Sequence, residues 1–233
     1  MNNMKFLVIS AHPDDSDFGC AGTMAKLVRE GHIVEELIVS DGSKGSHGTG
    51  FWGKKLASIR EKEQKASARV LGVRTVHFLR ERDGEVENTK NLRKKLVAVI
   101  RKLKPDAVFS FDPATLNSFE IAGRSHRDHR QVAEAVFDAV YPAAGSNAFF
   151  PELLKKGLKP HQIKEVWFFG TAKPNRVVNI VPFLSQKLTA LFCHKSQIID
   201  RKTLEVRIKG WARKFGKKKG FKYAEGFRVI KLT

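Results

Sequence analysis

The sequence predicts an α/β protein: a Rossmann-like, mainly parallel sheet in the order 3-2-1-4-5, with helices on both faces. Two observations carry that prediction. Short apolar, β-branched runs alternate with longer segments of helical apolar spacing, the βαβαβαβ rhythm of right-handed crossovers. The first run then ends in a turn that bears a histidine and two aspartates, at the strand end where open α/β sheets bind ligands. With 233 residues, 42% of them hydrophobic, and only 18 Gly and 8 Pro, the chain is long enough to bury one core, and we read a single domain.

Residues 5–10 form the first strand, and Ala11-His12-Pro13-Asp14-Asp15 is the loop that follows it. A helix over 19–30 ends at Gly31, a suitable cap, and 33–39 is the second strand. Residues 41–53 are a Gly- and Ser-rich loop, long enough to suggest function. It contains a near miss to a phosphate-binding loop, Gly48 to Gly53-Lys54, but Lys55 stands where Ser or Thr should hold a magnesium ion. Phe51 and Trp52 crowd the loop and no strand directly precedes it, so nucleotide binding is excluded.

A helix over 56–71 carries Arg60, a third strand covers 75–79, and Arg80-Glu-Arg-Asp83-Gly84 is a charged turn. A helix over 91–103 stops before Pro105, and 107–111 is the fourth strand, running into Asp112-Pro113. Helical spacing continues over 131–140. The segment 141–164, with three prolines, is a connection that would serve equally as a lid or an oligomer contact. A fifth strand over 165–169, a helix over 183–192 and a basic helix over 203–215 follow. Residues 223–232 form a last strand, expected outside the parallel core.

His12 and Asp15 lie three apart across a turn, so a nitrogen and an oxygen can converge on one cation. Asp14 is left over, suitably placed to take a proton from water as a general base. Pro13 stiffens the loop. Taken alone, this cluster could equally be a solvated turn with a chance histidine. A second cluster, Arg124-Ser-His126-Arg-Asp128-His129, opens the helix after the fourth strand. In the order 3-2-1-4-5 both clusters meet at the switch point between strands 1 and 4. His12, Asp15 and His129 then complete a three-ligand set with a position open for water.

Ala11-His-Pro-Asp-Asp15 with Phe18-Gly-Cys-Ala-Gly-Thr23, Leu71-Gly-Val73, Arg82-Asp-Gly84, Lys104-Pro-Asp106, His126-Arg-Asp-His129 and His194-Lys-Ser-Gln197 resembles the PIG-L or LmbE-like family of zinc-dependent N-acetylglucosamine deacetylases. The likeness runs from about Ala11 to Phe227. It implies removal of an acetyl group from an N-acetylglucosaminyl-type small molecule, releasing acetate and a free amine. The expected cofactor is Zn2+ or another divalent metal. Zinc on His12, Asp15 and His129 would polarise the acetyl carbonyl and lower the pKa of bound water. Asp14 would shuttle the proton, and a charged His126, positioned by Asp128, would stabilise the oxyanion. The resemblance also assigns Arg60 and Asp83 to holding the sugar and His194 to the pocket. Many relatives carry a glutamate shortly after the two aspartates, where this chain has Ser16-Asp17.

Composition narrows the remaining classes. The apolar run after Met1-Asn-Asn-Met-Lys5 is too short for a signal or a membrane span, so a cytoplasmic enzyme is expected. Cys20 and Cys193 show no framework or metal spacing and read as small core residues. The formal charge of +19 is concentrated at the end: residues 201–233 hold twelve Lys and Arg against two Glu. A solvated basic face explains this, and no recognised nucleic-acid motif accompanies it, so nucleic acid is not an expected partner. The competing classes are a metal hydrolase of another amide and a basic module for nucleic acid or anionic surfaces. Self-association is open.

Overall fold

Five parallel strands adopt the expected order. In the computed structural model, which describes residues 3–46, 50–115, 126–217 and 219–232, β1 (Lys5–Ser10) pairs with both β2 (Ile33–Ser40) and β4 (Ala107–Phe111). β3 (Thr75–Glu81) lies outside β2, and β5 (Glu165–Phe169) outside β4. The described sheet has seven strands, β3-β2-β1-β4-β5-β7-β6, because β7 (Ala224–Lys231) adds antiparallel to β5 and β6 (Arg176–Asn179) adds antiparallel to β7. The last strand thus falls outside the parallel core, as expected; β6 was not foreseen.

The helices are α1 (Asp15–Arg29), α2 (Gly53–Leu71), α3 (Lys90–Leu103), α4 (Arg127–Asp138), α5 (Leu184–Leu191) and α6 (Arg201–Lys217). α1, α2 and α5 pack together, and α3 packs on α4, the two layers that right-handed crossovers place on opposite faces. The apolar strands are sandwiched between them: Leu7, Val8, Ile9, Val108, Phe109 and Phe168 are at most 1% exposed. Each such side chain contributes about 1.5–3 kcal/mol on burial. That core fixes the register Phe6↔Ala107 and Val8↔Phe109, and so brings the loop after β1 beside the end of β4.

One expectation changes in the structure. α1 begins at Asp15 rather than at the glycines, because Asp14 takes a left-handed conformation (φ 100°, ψ −26°) that turns the chain straight into the helix. The connection after α4 is wrapped around Arg101 of α3, which is 1% exposed and donates to the carbonyls of Ala143, Ala144, Ser146 and Phe149. Those four bonds tie it to the body of the protein. At the other side of the sheet, Arg228 of β7 grips Asp112 just past β4, with Nε donating at 2.9 Å. No helix among the described residues is long and apolar enough to cross a membrane.

Candidate active site

The turn after β1 is held from α2. Arg60 and Gln64 are four residues apart and therefore share a helix face. Arg60 donates to the carbonyl of Pro13 at 2.6 Å, to the carbonyl of Gly42 at 3.1 Å and to Asp14 Oδ2 at 3.3 Å. Gln64 Oε1 accepts the Asp14 N–H at 2.8 Å. The glycine-rich loop after β2 closes over this guanidinium: a Cβ on Gly45 would lie 2.4 Å from Arg60 Nη1. A side chain there would push Arg60 off the turn.

The second cluster comes from the start of α4. His126 is its N-cap, with Nδ1 accepting the Asp128 N–H at 3.1 Å, which leaves His129 on the first turn facing inward. The Phe111 ring stacks on His129 at 4.3 Å between centroids, so the end of β4 sets the plane of the imidazole. Arg124 and Ser125 of this cluster lie outside the described residues, as do His47, Gly48 and Thr49 of the glycine-rich loop.

At the junction three candidate ligand residues close a small triangle, in which Asp15 offers a different oxygen to each imidazole. His129 Nε2 is 3.0 Å from Asp15 Oδ1, His12 Nδ1 is 3.4 Å from Asp15 Oδ2, and His12 Nδ1 is 3.3 Å from His129 Nε2. A tetrahedral cation with bonds of about 2.0–2.1 Å has edges of about 3.3–3.4 Å, the separation of His12 Nδ1 from His129 Nε2 and from its Asp15 oxygen. His126 stands at its open side, with a nitrogen within 4.8 Å of those of His12 and His129. Behind it, His12 Nε2 is 3.2 Å from Asp83 Oδ1 and 3.3 Å from Asp128 Oδ2. Both carboxylates are anchored by backbone donors, Lys44 N–H at 2.9 Å and Gly84 N–H at 2.7 Å. This is how proteins fix a metal-binding imidazole: the far nitrogen donates to a carboxylate and the near one stays free for the ion.

The electrostatics call for a cation. Asp14, Asp15, Asp83 and Asp128 are all at most 9% exposed. Arg60 faces Asp14, and Arg127 lies 3.7 Å from Asp128, whereas among the described residues the Asp15 carboxylate meets imidazoles and the His12 N–H. Burial works against the charged form of His12, yet Asp128, Asp15 and Asp83 overcome it and hold its pKa well above the ordinary value. Burial likewise opposes the Asp83 carboxylate, but the His12 bond and the Lys44 N–H bring it down to about 2. Burial raises Asp14 against the pull of Arg60, so its proton affinity moves toward neutral pH. The donor set of two imidazoles and carboxylates fits a divalent cation on every count.

The structure thus brings together His12, Asp14, Asp15, Asp83, His126, Asp128, His129 and Arg60. Asp128, Arg60 and His194 also make contacts that their assigned parts did not include. The Asp128 carboxylate orients His12, and its backbone N–H holds His126 Nδ1. Arg60 is 4% exposed and spends its donors on the turn and its neighbouring loop, not on an approaching sugar. His194 is fully buried, its Nε2 2.6 Å from Asp17 Oδ2, one layer beneath the site. Burial lowers the proton affinity of His194, but Asp17 more than reverses it.

Sequence reasoning missed the rest of that layer. Ser67 donates to Asp17 at 2.8 Å, Ser16 donates to Glu36 at 2.6 Å, and Gln64 donates to both Glu36 oxygens at 3.1 and 3.2 Å. Burial and the nearby Asp17 push Glu36 up to about 8. The signal was Glu35-Glu36 in the middle of an apolar strand: Glu35 reaches Arg74 and His77, which leaves Glu36 pointing to the opposite face. Because the Asp17–His194 pair is out of water, His194→Ala strands a buried carboxylate. Urea unfolding of that variant should show a loss of about 3–5 kcal/mol, whereas a change below about 1 kcal/mol would mean that water replaces the imidazole.

Comparison with known proteins agrees with this geometry. Residues 7–140 match the family model described as PIG-L: GlcNAc-PI de-N-acetylase. The diacetylchitobiose deacetylase of Thermococcus kodakarensis is 37% identical over 97% of this chain and 83% of its own. The solved N,N'-diacetylchitobiose deacetylase of Pyrococcus horikoshii superposes with a TM-score of 0.91 at 34% identity, covering 99% of this chain and 85% of its own. A conserved protein of Thermus thermophilus superposes with a TM-score of 0.79 at 28% identity, covering 99% of this chain and 95% of its own.

Proposed function

This chain belongs to the PIG-L, or LmbE-like, family of de-N-acetylases, and from that membership we propose that it hydrolyses the N-acetyl amide of an N-acetylglucosaminyl substrate, with zinc held by His12, Asp15 and His129. The observation that carries the reading is the division of labour among adjacent carboxylates: Asp15 closes the ligand triangle while Asp14, one residue earlier, is turned onto Arg60. Two imidazoles among the donors suit zinc better than magnesium or calcium, which prefer all-oxygen sites. A divalent cation in the triangle supplies Lewis acidity for the acyl carbonyl and acidifies the attacking water.

The chain's own groups do the rest. Asp14 accepts the proton of the attacking water and returns it to the leaving amine; its raised pKa makes it a stronger base than a solvated aspartate and leaves it an effective acid afterwards. His126 donates from Nε2 to the developing oxyanion, since its Nδ1 lone pair is taken by the Asp128 N–H. Asp83 and Asp128 hold the His12 ring in the tautomer that keeps Nδ1 on the ligand side. Arg60 serves the Asp14 turn and the loop that carries Lys44, and through it Asp83. His194 supports the floor of the site through Asp17.

Acetate release from a panel of N-acetylglucosaminyl compounds, including N,N'-diacetylchitobiose, tests the reading with zinc-loaded protein. Acetate should appear with amine in equal amounts and stop on chelation. Hydrolysis confined to amides without a sugar would replace this substrate class with another.

A further inference from the structure

Asp14 is held in a backbone conformation that a non-glycine residue rarely adopts, at φ 100°, immediately beside the ligand triangle. Such a conformation persists only where the surroundings over-determine it, and it places the side chain in a direction that an ordinary turn would not give. Two side chains of α2 provide the restraint: Arg60 acts on the Pro13 carbonyl and the Asp14 carboxylate, and Gln64 acts on the Asp14 N–H.

Gln64 has no contact with the carboxylate itself, and its own orientation is fixed from below. A side-chain amide presents either oxygen or NH2 to a given neighbour, and only the oxygen can accept the Asp14 N–H. Glu36 receives the other end of the amide and supports that orientation. Its two oxygens take the Gln64 NH2 at 3.1 and 3.2 Å, so the amide oxygen is turned toward Asp14. Ser16, one residue beyond Asp15, pins Glu36 Oε1 at 2.6 Å and closes the chain back onto the start of α1. Ser16, Glu36 and Gln64 are all fully buried, so the orientation is sealed from water.

We propose that Gln64, oriented by Glu36, is a positioning residue that locks the Asp14 backbone in its left-handed turn and thereby aims the Asp14 carboxylate. The proposal rests on the reading of Asp14 as the base. It predicts a defect in turnover rather than in substrate or metal binding, because Gln64 touches neither. A displacement of the base by about 1 Å is enough to cost on the order of a hundredfold.

The test uses Gln64→Leu and the double variant Glu36→Leu/Gln64→Leu. The double variant guards against misfolding, since replacing both partners of a buried hydrogen bond by apolar groups is far less disruptive than removing one. In each, we expect bound zinc at the wild-type level and KM for N,N'-diacetylchitobiose within about threefold, while kcat for acetate release falls by about tenfold to a hundredfold. The double variant should be no slower than Gln64→Leu, since the two residues act through one chain. Glu36→Gln, which keeps an acceptor for Ser16 and Gln64, should retain most of kcat. Amide hydrogen exchange at Asp14, followed by NMR in metal-free protein, should quicken in both leucine variants and not in Glu36→Gln. Wild-type kcat with unchanged Asp14 protection in Gln64→Leu would overturn the proposal. If wild-type protein releases no acetate, the deacetylase reading fails, and Asp14 exchange alone still decides whether Gln64 clamps the turn.

Discussion

Asp14→Asn is expected to bind zinc stoichiometrically yet lose about 10²–10⁴ in kcat, while His129→Ala and Asp15→Ala lose the metal itself. The split follows from geometry. His129 Nε2 and Asp15 Oδ1 are 3.0 Å apart on one edge of the ligand triangle, so deleting either removes a corner. Asp14 contributes no corner; its Oδ2 is turned to Arg60. Asp83→Ala and Asp128→Ala should sit between these extremes, since each deprives His12 Nε2 of one of its two acceptors while leaving the ligand atoms in place. Loss of such an outer partner typically weakens metal affinity by about 10–100-fold. Metal analysis of the purified variants, paired with single-substrate kinetics, separates the three groups. Stoichiometric zinc in His129→Ala would move the cation to another donor set, and loss of zinc in Asp14→Asn would make Asp14 a ligand.

Much of this was legible in the sequence because the signals are local. The runs at Ala107–Phe111 and Glu165–Phe169 are short and mostly apolar, flanked by Asp106 and Asp112 and by Lys164 and Gly170, and they are strands with those bounds. Crossover handedness gives the parallel class, and with the order 3-2-1-4-5 expected for it residues 12–15 meet residues 126–129 at the switch point. The unreadable parts depend on tertiary context. β6 is four residues long at an edge, too short for a period to register. The left-handed Asp14 is imposed from α2, and nothing in Pro13-Asp14-Asp15 announces it. The internal partners of Arg60 and His194 were equally out of reach of the sequence: the guanidinium meets three acceptors of the Asp14 turn and its neighbouring loop, and the imidazole meets Asp17.

For the pH dependence the contacts of His126 favour a different protonation state from the charged one expected from sequence. A charged His126 would put its pKa on the alkaline limb of the rate profile. The geometry opposes that charge: Nδ1 accepts the Asp128 N–H at 3.1 Å, and a proton on Nδ1 would break this cap. Burial, followed by the neighbouring His12 and His129, lowers the His126 pKa below 6.5. A group with a lowered pKa is neutral at any pH above it, and in that state Nε2–H is the donor. With the neutral, capped imidazole as the working form, activity is expected to rise as pH climbs through this pKa. Asp14 must also lose its proton before it can act as base, and burial raises its pKa from the ordinary value. Both groups act on the acid limb, which is then steeper than a single ionisation and reports apparent values of a coupled pair. His126→Ala should lower kcat and kcat/KM together by about a hundredfold or more, with KM little changed, because the lost donor acts on the transition state. It should also reduce the acid limb to one ionisation and leave the alkaline limb where it was. His126→Gln, which restores an N–H without a titrating ring, should recover part of kcat and keep the simplified acid limb. An alkaline limb that vanishes in His126→Ala would return the proton to His126 and make the imidazolium the oxyanion partner after all.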